Sequence, residues 1–468
     1  MKLRQWQADC ISLAIQKFDT ADNHFLCLAT PGAGKTLMAS ALATVLLRED
    51  KIDLILCFSP SVVVAEDFGR ALAAHTNMRM DGLLGSRGRS LTYQAMLHLD
   101  SSFWSLFDSH RIFVIFDEIH HCASDGVATA NSWGQKIIEN IQGRAAYTLA
   151  LTGTPWRSDQ IPIALARYSH TGKIHCDYTY GLSQAVSDNV CRIPKITLID
   201  NDRIIVRRDN ETSRYTSFEH LLKDSGCSYQ QLVEDKELIV YFLEQSSKKL
   251  DAIRKEFPNA GGLIVAASVG HANEIARIMK DRLGESAHVA TYREEDPLTI
   301  ISTFKDNSEK WIISLGMISE GTNIPRLRVC CHLTRVKTEL HFRQVLGRIL
   351  RNENEINSEA FLYIPAEPLL IEYATRVADE IPNSVSLKFD SMSSAKFESK
   401  KSKIFNDVDH PSNEISLNLG RSPIDYLGLQ KQLQTGEVQS SLANTYETSM
   451  NIFGRFRQEL LSLDLGFR

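Results

Sequence analysis

Residues 29–36 have the composition of a loop that binds phosphate. They follow an apolar run and precede a helical stretch, so their backbone N–H groups would surround an anion at a helix N-terminus. Lys35 would reach the β- and γ-phosphates of a nucleotide, and Thr36 would offer a hydroxyl to Mg²⁺. A glycine-rich turn without a ligand is the alternative, because the usual pattern has glycine where Ala29 stands. The predicted nucleotide contacts here are Thr30, Pro31, Gly32, Ala33, Gly34, Lys35 and Thr36.

Two carboxylates, Asp117 and Glu118, directly follow a second apolar run. At the carboxyl end of a buried parallel strand, carboxylates are better placed to meet a ligand than to pack. We predict that Asp117 binds Mg²⁺ and that Glu118 orients or deprotonates an attacking water. The alternative is an exposed acidic strand end that caps the next helix. His120 and His121 do not predict zinc, because adjacent ligands seldom close on one ion.

A candidate phosphate clamp lies much later in the chain. Residues 344, 347, 348 and 351 are spaced by three, one and three, so on a helix they share one face. Two arginines and a small residue on one face suit a polyphosphate bound from across a cleft. A solvated basic helix face is the alternative. The residues concerned are Gln344, Gly347, Arg348 and Arg351.

The elements that must position these residues are short apolar runs alternating with helical stretches. Nearly continuous apolar runs are typical of parallel strands that are covered on both faces. The sequence therefore predicts an α/β fold with two parallel sheets in tandem. The predicted strands are residues 25–29, 54–58, 112–116 and 147–151 in the first sheet, and 263–267, 288–291, 311–315, 329–333 and 361–364 in the second.

Four regions follow from this pattern. Residues 1–160 form the first sheet domain and residues 259–383 the second. Residues 161–258 are an insertion with helices and a small hairpin, in which residues 195–198 face residues 204–206. Residues 384–468 form a linker rich in Ser and Lys and a mostly helical extension, with a helix near residues 441–463.

Composition narrows the classes of function. The chain has 468 residues and a net charge of −5, so binding to nucleic acid would need a locally basic surface. No apolar run approaches the length of a membrane span, and the first residues lack the apolar core of a signal peptide. Nine scattered cysteines predict reduced thiols and a cytoplasmic location.

Taken in order, these segments resemble the superfamily 2 helicases and translocases of the DExH type over residues 1–365. The wording is closest to type III restriction helicase subunits and related DNA-repair translocases. Residues 3–7 resemble the adenine-reading Q segment, and residues 29–36 and 117–120 resemble motifs I and II. Motifs III, V and VI are matched by residues 152–154, 320–325 and 344–351. The resemblance implies two RecA-like domains, with ATP and Mg²⁺ in the cleft between them and nucleic acid across their tops.

The resemblance also implies roles for single residues. Adenine would be read by Gln7 with Arg4 beside it, and Gly321 and Asn323 would contact the nucleotide from the second domain. Asn323 stands where an aspartate is usual, so that position lacks a charge. ATP and nucleic-acid binding would be coupled through His120, Thr152 and Thr154. The expected catalytic residues are Lys35, Asp117, Glu118, Gln344, Arg348 and Arg351.

Contacts with nucleic acid are also expected from the resemblance. Residues 85–89 are the best local candidate for binding phosphate, because glycines there expose backbone N–H groups beside two arginines. A solvated loop is the alternative. The expected contact residues are Arg87, Arg89, Thr92, Gln94, Ser268 and Arg335.

These features predict a nucleic-acid-dependent ATPase that acts as a helicase or translocase and that favours DNA over RNA. One alternative is an ATP-driven switch or binding subunit of a larger restriction, repair or defence complex, and another is an RNA helicase. A phosphate-loop enzyme unrelated to nucleic acid is a third. The C-terminal extension would pack against the two sheets or bind a protein partner.

Overall fold

The computed structural model describes residues 3–20, 22–123, 131–154, 161–170, 174–208, 211–316, 324–352, 355, 358–380, 449–452 and 456–462. The strands are β1 His24–Ala29, β2 Leu54–Ser59, β3 Gly88–Thr92, β4 Ile112–Phe116, β5 Tyr147–Thr152, β6 Arg167–Tyr168, β7 Ile174–His175, β8 Tyr178–Tyr180, β9 Ile193–Asn201, β10 Ile204–Arg208, β11 Glu211–Tyr215, β12 Gly261–Ala266, β13 Ala287–Ala290, β14 Trp311–Ser314, β15 Leu327–Leu333, β16 Glu359–Pro365, β17 Ser449–Ile452 and β18 Phe456–Ser462.

Helices connect most of these strands. They are α1 Gln5–Phe18, α2 Lys35–Arg48, α3 Val62–Thr76, α4 Tyr93–Met96, α5 Ser101–Trp104, α6 Leu106–Ser109, α7 Ser132–Asn140, α8 Leu182–Ser187, α9 Phe218–Asp224, α10 Tyr229–Val233, α11 Lys236–Arg254, α12 Val269–Ile278, α13 Pro297–Asp306, α14 Glu339–Ile349 and α15 Pro368–Asp379. Among the described residues, no helix combines the length and the apolar character needed to span a membrane.

The first sheet has the strand order β3-β2-β4-β5-β1-β8, and every neighbouring pair is parallel. All five residues of β4 are buried, as a strand covered on both faces requires. The carboxyl ends of parallel strands lie at the same edge of a sheet. The segments that follow β1, β4 and β5 therefore meet there, and these are the segments predicted to carry the chemistry.

The second sheet has the order β13-β14-β12-β15-β16-β9-β18. The strands from β13 to β9 are parallel, and β18 closes the sheet as an antiparallel edge. Two parallel sheets in tandem were predicted from the apolar runs, and the fold confirms that class. The second sheet, however, takes β9 from the region predicted to be an insertion.

The predicted hairpin is wrong in its pairing. β10 pairs with β11 and β17, whereas β9 lies in the second sheet beside β16. The reason is burial, because Ile196, Leu198 and Ile199 are all at most 5% exposed. A two-stranded hairpin cannot cover both faces of such a strand, but the inside of a large sheet can.

The predicted helix near residues 441–463 is also wrong in the part that the structure describes. There the chain forms β17, which pairs with β10, and β18, which pairs with β9. The apolar spacing of three and four residues fitted a helix, but without β18 the strand β9 would leave a row of backbone donors and acceptors unpaired at the sheet edge. Pairing with a distant strand satisfies these groups. Residues 384–448, predicted as linker and extension, lie outside the described residues.

Candidate functional site

The loop between β1 and α2 has the backbone that binding a phosphate requires. Gly32 and Gly34 have φ values of 85° and 97°, a left-handed conformation that residues with a Cβ seldom adopt. A Cβ on Gly34 would lie 2.9 Å from Nε2 of Gln7, so the space beside it is also filled. Helix α2 begins at Lys35, directly after this turn. The loop N–H groups and the start of the helix would together bind an anion here.

Lys35 and Glu118 form an ion pair at the centre of the site. Lys35 Nζ lies 3.0 Å from Glu118 Oε1 and donates a hydrogen bond of 3.2 Å to the carbonyl oxygen of Ala29. The N–H of Gly153 donates to Glu118 Oε2 over 3.1 Å. The segments that follow β1, β4 and β5 are therefore joined through one carboxylate. A nucleotide phosphate would compete with that carboxylate for the lysine.

The two neighbouring carboxyl groups differ in pKa. Burial and the negative charge of Glu118 raise the pKa of Asp117 to about 7. Burial acts in the same direction on Glu118, but the positive charges of Lys35 and His120 and the N–H of Gly153 hold the pKa of Glu118 at about 2. At neutral pH Glu118 is ionised, whereas Asp117 needs a cation nearby to be fully ionised.

This requirement fits Mg²⁺. Asp117 is 7% exposed at the edge of the sheet, and Thr36 supplies a hydroxyl in the first turn of α2. Carboxylate and hydroxyl oxygens are hard donors of the kind that Mg²⁺ binds together with phosphate oxygens. Asp117 and Thr36 are thus the residues that would hold the ion, which would neutralise charge on the phosphates.

His120, Thr152 and Thr154 form a buried hydrogen-bonded cluster beside Glu118. The Thr152 hydroxyl donates to the carbonyl oxygen of Thr154 over 2.8 Å and accepts the Thr154 N–H over 3.0 Å. His120 Nδ1 lies 2.9 Å from the same hydroxyl oxygen, whose proton is already used, so Nδ1 carries the hydrogen in this bond. His120 Nδ1 is also 3.4 Å from Glu118 Oε2. Three residues predicted to couple the motifs are therefore brought together.

The predicted adenine-reading segment is anchored to the phosphate loop. Arg4 Nη1 donates to the carbonyl oxygen of Ala33 over 2.8 Å, and Gln7 Nε2 donates to that of Gly34 over 3.0 Å. Gln7 Oε1 accepts the backbone N–H of Arg4 over 2.9 Å, and the Gln7 side chain is fully buried. These bonds fix the start of α1 on the loop that would hold the phosphates.

Sequence reasoning missed two contacts of the phosphate loop. The carbonyl oxygen of Tyr180 in β8 accepts the N–H of Thr30 over 3.0 Å. Cys191 Sγ lies 3.6 Å from the carbonyl oxygen of Pro31. Neither residue carries a motif, and both lie some 150 residues along the chain from the loop. Only parallel pairing of β8 with β1 brings this segment to the site.

The arginine-bearing helix of the second sheet packs directly against the phosphate loop. A Cβ on Gly347 of α14 would lie 2.4 Å from Cβ of Pro31, and one on Gly32 would lie 3.2 Å from Cγ of Arg351. Burial and the positive charge of Arg348 lower the pKa of Arg351 to about 9. Two cations held close together in this way favour an anion between or beside them. Gln344 lies one turn before Arg348 on the same helix. The prediction that Arg351 shares this helix face is wrong, because α14 ends at Ile349 and Arg351 forms an isolated β-bridge with Cys191.

The residues predicted to contact nucleic acid fall into two groups. Thr92 and Gln94 lie at the carboxyl end of β3, and Ser268 and Arg335 follow the carboxyl ends of β12 and β15. These residues lie at the carboxyl edges of the two sheets, and in the first sheet that edge also carries the phosphate loop.

Arg87 and Arg89 lie at the opposite end of β3. The Arg87 side chain donates to the carbonyl oxygen of Asp53, which precedes β2, over 3.5 Å. The Arg89 side chain lies over Gly82, where a Cβ would be 2.7 Å from Arg89 Cδ. The structure therefore does not bring these two arginines together with Thr92 and Gln94.

Two predicted nucleotide contacts, Gly321 and Asn323, lie outside the described residues. The next described residue is Ile324, which is buried just before β15. The roles predicted for Gly321 and Asn323 therefore stay predictions.

Residues 1–157 match the family model described as type III restriction enzyme, res subunit. The predicted resemblance to the superfamily 2 helicases is confirmed. The matched residues contain the phosphate loop, both carboxylates and the cluster around His120, so the match covers the part of the candidate site that the first sheet supplies.

Relatives extend the similarity beyond the first sheet. An uncharacterized protein of Mycobacterium tuberculosis, Rv2917, is 28% identical over 390 residues, which are 80% of this chain and 63% of that protein. The chain thus spans less than two thirds of this relative. The protein named DNA 3'-5' translocase XPB2, of Sulfurisphaera tokodaii, is 22% identical over 80% of this chain and 82% of its own.

Solved structures show the same fold. The enzyme described as ATP-dependent Type ISP restriction-modification enzyme LlaBIII bound to DNA matches with a TM-score of 0.53 and 14% identity, over 81% of this chain and 30% of that one. A putative HsdR subunit of a type I restriction enzyme from Vibrio vulnificus matches with a TM-score of 0.53 and 17% identity, over 77% and 63%.

Proposed function

We propose that this chain is a nucleic-acid-dependent ATPase that acts as a DNA helicase or translocase and hydrolyses ATP between its two parallel sheets. One observation carries the proposal. α14 packs on Pro31 at Gly347, and Arg351 lies beside Gly32. The arginine segment of the second sheet domain therefore contacts the phosphate loop of the first within one chain. An assembly that borrows its arginine from a neighbouring subunit does not need this contact.

The roles follow from the geometry. Lys35 leaves Glu118 when a γ-phosphate offers a stronger negative charge, and Glu118 then accepts a hydrogen bond from water. With its pKa held at about 2, Glu118 is a weak base, so orienting the water is its main task at first. As Lys35 moves to the phosphate, one of the charges that lower this pKa moves away. Glu118 then becomes a better proton acceptor in the state in which one is needed.

The remaining site residues act on the nucleotide from both sides. Thr36 and Asp117 hold Mg²⁺, and the loop N–H groups of residues 30–36 bind the phosphates. Arg348 and Arg351 stabilise charge that develops on the γ-phosphate, with Gln344 on the same helix face. Gln7 has one N–H and one lone pair beyond its bonds to Arg4 and Gly34, but its side chain is fully buried, so the predicted contact with adenine requires the start of α1 to move.

We favour DNA because similar proteins are named or described as acting on DNA or bound to it. The Sulfurisphaera relative is named a DNA translocase, and the Type ISP enzyme is described bound to DNA. A structure described as Mss116p bound to ssRNA also matches, with a TM-score of 0.50 and 11% identity. Proteins with this fold are thus described with either nucleic acid. Measuring ATP turnover with DNA and with RNA side by side decides which one this chain prefers.

We place the nucleic acid across the carboxyl edges of the two sheets. Thr92, Gln94, Ser268 and Arg335 are the contact residues that this path offers. Gln94 and Arg335 are exposed there, as backbone phosphate contacts require. A cytoplasmic location and a protein partner bound through residues 384–468 stay predictions.

The test is ATP turnover measured with single-stranded DNA, duplex DNA, branched DNA and RNA in parallel. We expect stimulation that is strongest with a DNA. Lys35→Ala should weaken nucleotide binding, and Glu118→Gln should keep binding while stopping hydrolysis. Lys51→Ala is a matched control, because Lys51 also pairs with two carboxylates of the first sheet domain, Asp19 and Glu49. Turnover that no nucleic acid stimulates, or an active Glu118→Gln variant, would refute the proposal.

A further inference from the structure

A buried arginine lies where the chain passes from the first sheet to the second. Arg192 directly precedes β9 and is 2% exposed. Its Nη1 donates to the carbonyl oxygen of Leu327 over 2.8 Å and to that of Ile349 over 3.2 Å. Its backbone N–H donates to the carbonyl oxygen of Leu350 over 2.7 Å. The side chain and the backbone of one residue therefore hold the carboxyl end of α14.

Those carbonyl groups need an outside partner. The last four carbonyl groups of a helix have no partner within the helix, and at a buried helix end water cannot replace one. Ile349 and Leu350 are both at most 2% exposed. Arg192 thus fixes a helix end that would otherwise carry buried, unpaired acceptors.

A carboxylate completes the cluster. Glu355 Oε2 lies 3.8 Å from Arg192 Nε and forms an ion pair with Arg328, which also stacks on Phe257 with its Cζ 3.7 Å from the ring centre. Two guanidinium groups are costly to bury, even beside a partly exposed carboxylate, and an apolar cluster of the same volume would stabilise the fold at least as well. The cluster is therefore better explained by what it positions than by stability alone.

The same short segment also touches the phosphate loop. Cys191 forms an isolated β-bridge with Arg351, and Cys191 Sγ lies 3.6 Å from the carbonyl oxygen of Pro31. Residues 191–192 therefore contact the loop of the first sheet through the Cys191 side chain, and the end of α14 through the backbone and side chain of Arg192. A movement of this segment would shift Arg351 relative to the phosphate loop.

We propose that Arg192 is a positioning residue for ATP hydrolysis, which holds the end of α14 so that Arg351 meets the nucleotide. This inference rests on the function proposed above. Lysine is a poor replacement, because Nη1 of Arg192 donates to both carbonyl groups while Nε faces the Glu355 carboxylate, and a single ammonium group has no second nitrogen for the carboxylate. A misplacement of about 1 Å at a reacting centre can lower the rate by about 10²-fold.

The experiment compares Arg192→Lys with Arg326→Lys. Arg326 is the matched control, because it directly precedes β15, whose first residue is Leu327. It also donates to carbonyl oxygens, those of Phe304 over 2.9 and 2.7 Å and of Asn259 over 3.0 Å. It has no contact with α14 among these bonds. Both variants should lose thermal stability. Only Arg192→Lys should lower kcat, by about 10- to 100-fold, with KM for ATP changed by less than about threefold.

A double variant tests the route through Arg351. If Arg192 acts by placing Arg351, then Arg192→Lys combined with Arg351→Lys should turn over ATP no more slowly than Arg351→Lys alone. Multiplying rate losses would overturn the proposal, because they would mean that the two residues act independently. Should Arg192→Lys not fold, Glu355→Gln takes its place, since it removes the charge that orients the same guanidinium.

The outcomes separate this inference from the proposed function. A wild-type chain without nucleic-acid-stimulated turnover refutes the proposed function, whatever the variants do. An active wild-type chain in which Arg192→Lys and Arg326→Lys have equal kcat, at equal folded fraction, refutes only the positioning role. The positioning role is supported if kcat falls in Arg192→Lys but not in Arg326→Lys, and if Arg192→Lys causes no further loss when Arg351→Lys is already present.

Discussion

Replacing Gly347 by alanine tests whether the contact between the two sheets is the one used in hydrolysis. The added Cβ would lie 2.4 Å from Cβ and 3.0 Å from Cγ of Pro31. Carbon atoms that are not bonded pack at about 3.5 Å or more, so α14 and the phosphate loop must separate by about 1 Å. Arg348 on the helix, and Arg351 two residues beyond its end, should then move away from a bound nucleotide.

The substitution has two effects of opposite sign. Alanine favours a helix interior over glycine by about 1 kcal/mol, so α14 itself becomes more stable. A displacement of about 1 Å of the arginines, in contrast, lowers the rate by about 10²-fold. At about 1.36 kcal/mol per factor of ten, that is a loss of about 2.7 kcal/mol in transition-state stabilisation. Forcing α14 away from Pro31 costs about 1–3 kcal/mol of packing and offsets the gain in helix stability, so activity should fall far more than stability.

The assay is steady-state ATP hydrolysis with saturating single-stranded DNA, together with nucleotide affinity and a thermal melt. We expect a kcat about 100-fold lower, an affinity within about threefold of wild type and a Tm that is unchanged or slightly lower. Gly181→Ala is the control, because Gly181 has a φ of −75° and no atom within 4 Å of an added Cβ. Wild-type turnover in Gly347→Ala would show that the enzyme hydrolyses ATP without this contact and would refute the reasoning.

Three further predictions follow from the structure. Arg351→Lys should bind ATP yet lose most stimulated turnover, and mixing it with Glu118→Gln should restore nothing in the ATPase assay, because both residues act in one chain. Burial and a neighbouring histidine lower the pKa of His332 to about 3, so below its unfolded value of 6.5 only the unfolded chain takes up a proton. In urea unfolding, the free energy of unfolding of the wild type should fall by about 2.5 kcal/mol more than that of His332→Leu between pH 6 and pH 4. Equal losses of unfolding free energy would contradict this. The plot of log affinity for single-stranded DNA against log salt should become shallower by about 0.7 in Arg335→Ala but not in Arg87→Ala, and the reverse result would exclude the proposed path.

Several strands were predictable because their signal is local. The runs that became β1, β2, β4 and β5 are short, apolar and nearly continuous, and burial on both faces is the usual reason for such runs. The turn at Gly32 and Gly34 was predictable for the same reason, since its left-handed backbone is a property of neighbouring residues.

Errors arose where pairing with a distant strand decided the structure. β18 has apolar spacing that also fits a helix, and its partner β9 lies some 260 residues earlier in the chain. Likewise, glycines and arginines at residues 85–89 fitted a phosphate-binding loop. The register of β3 with β2 places Arg87 at the end of the strand that is away from the nucleotide.

The sequence by itself determined which chemical groups are available and the order in which they occur. Lys35, Asp117, Glu118, Arg348 and Arg351 could be named because each stands in a short segment whose spacing carries meaning. Only the tertiary structure decided which groups meet. Gly347 on Pro31, and Arg192 on the carbonyl oxygen of Ile349, are contacts between residues more than 150 positions apart. Such contacts depend on how two sheets pack against each other, and no local pattern of residue types encodes that packing.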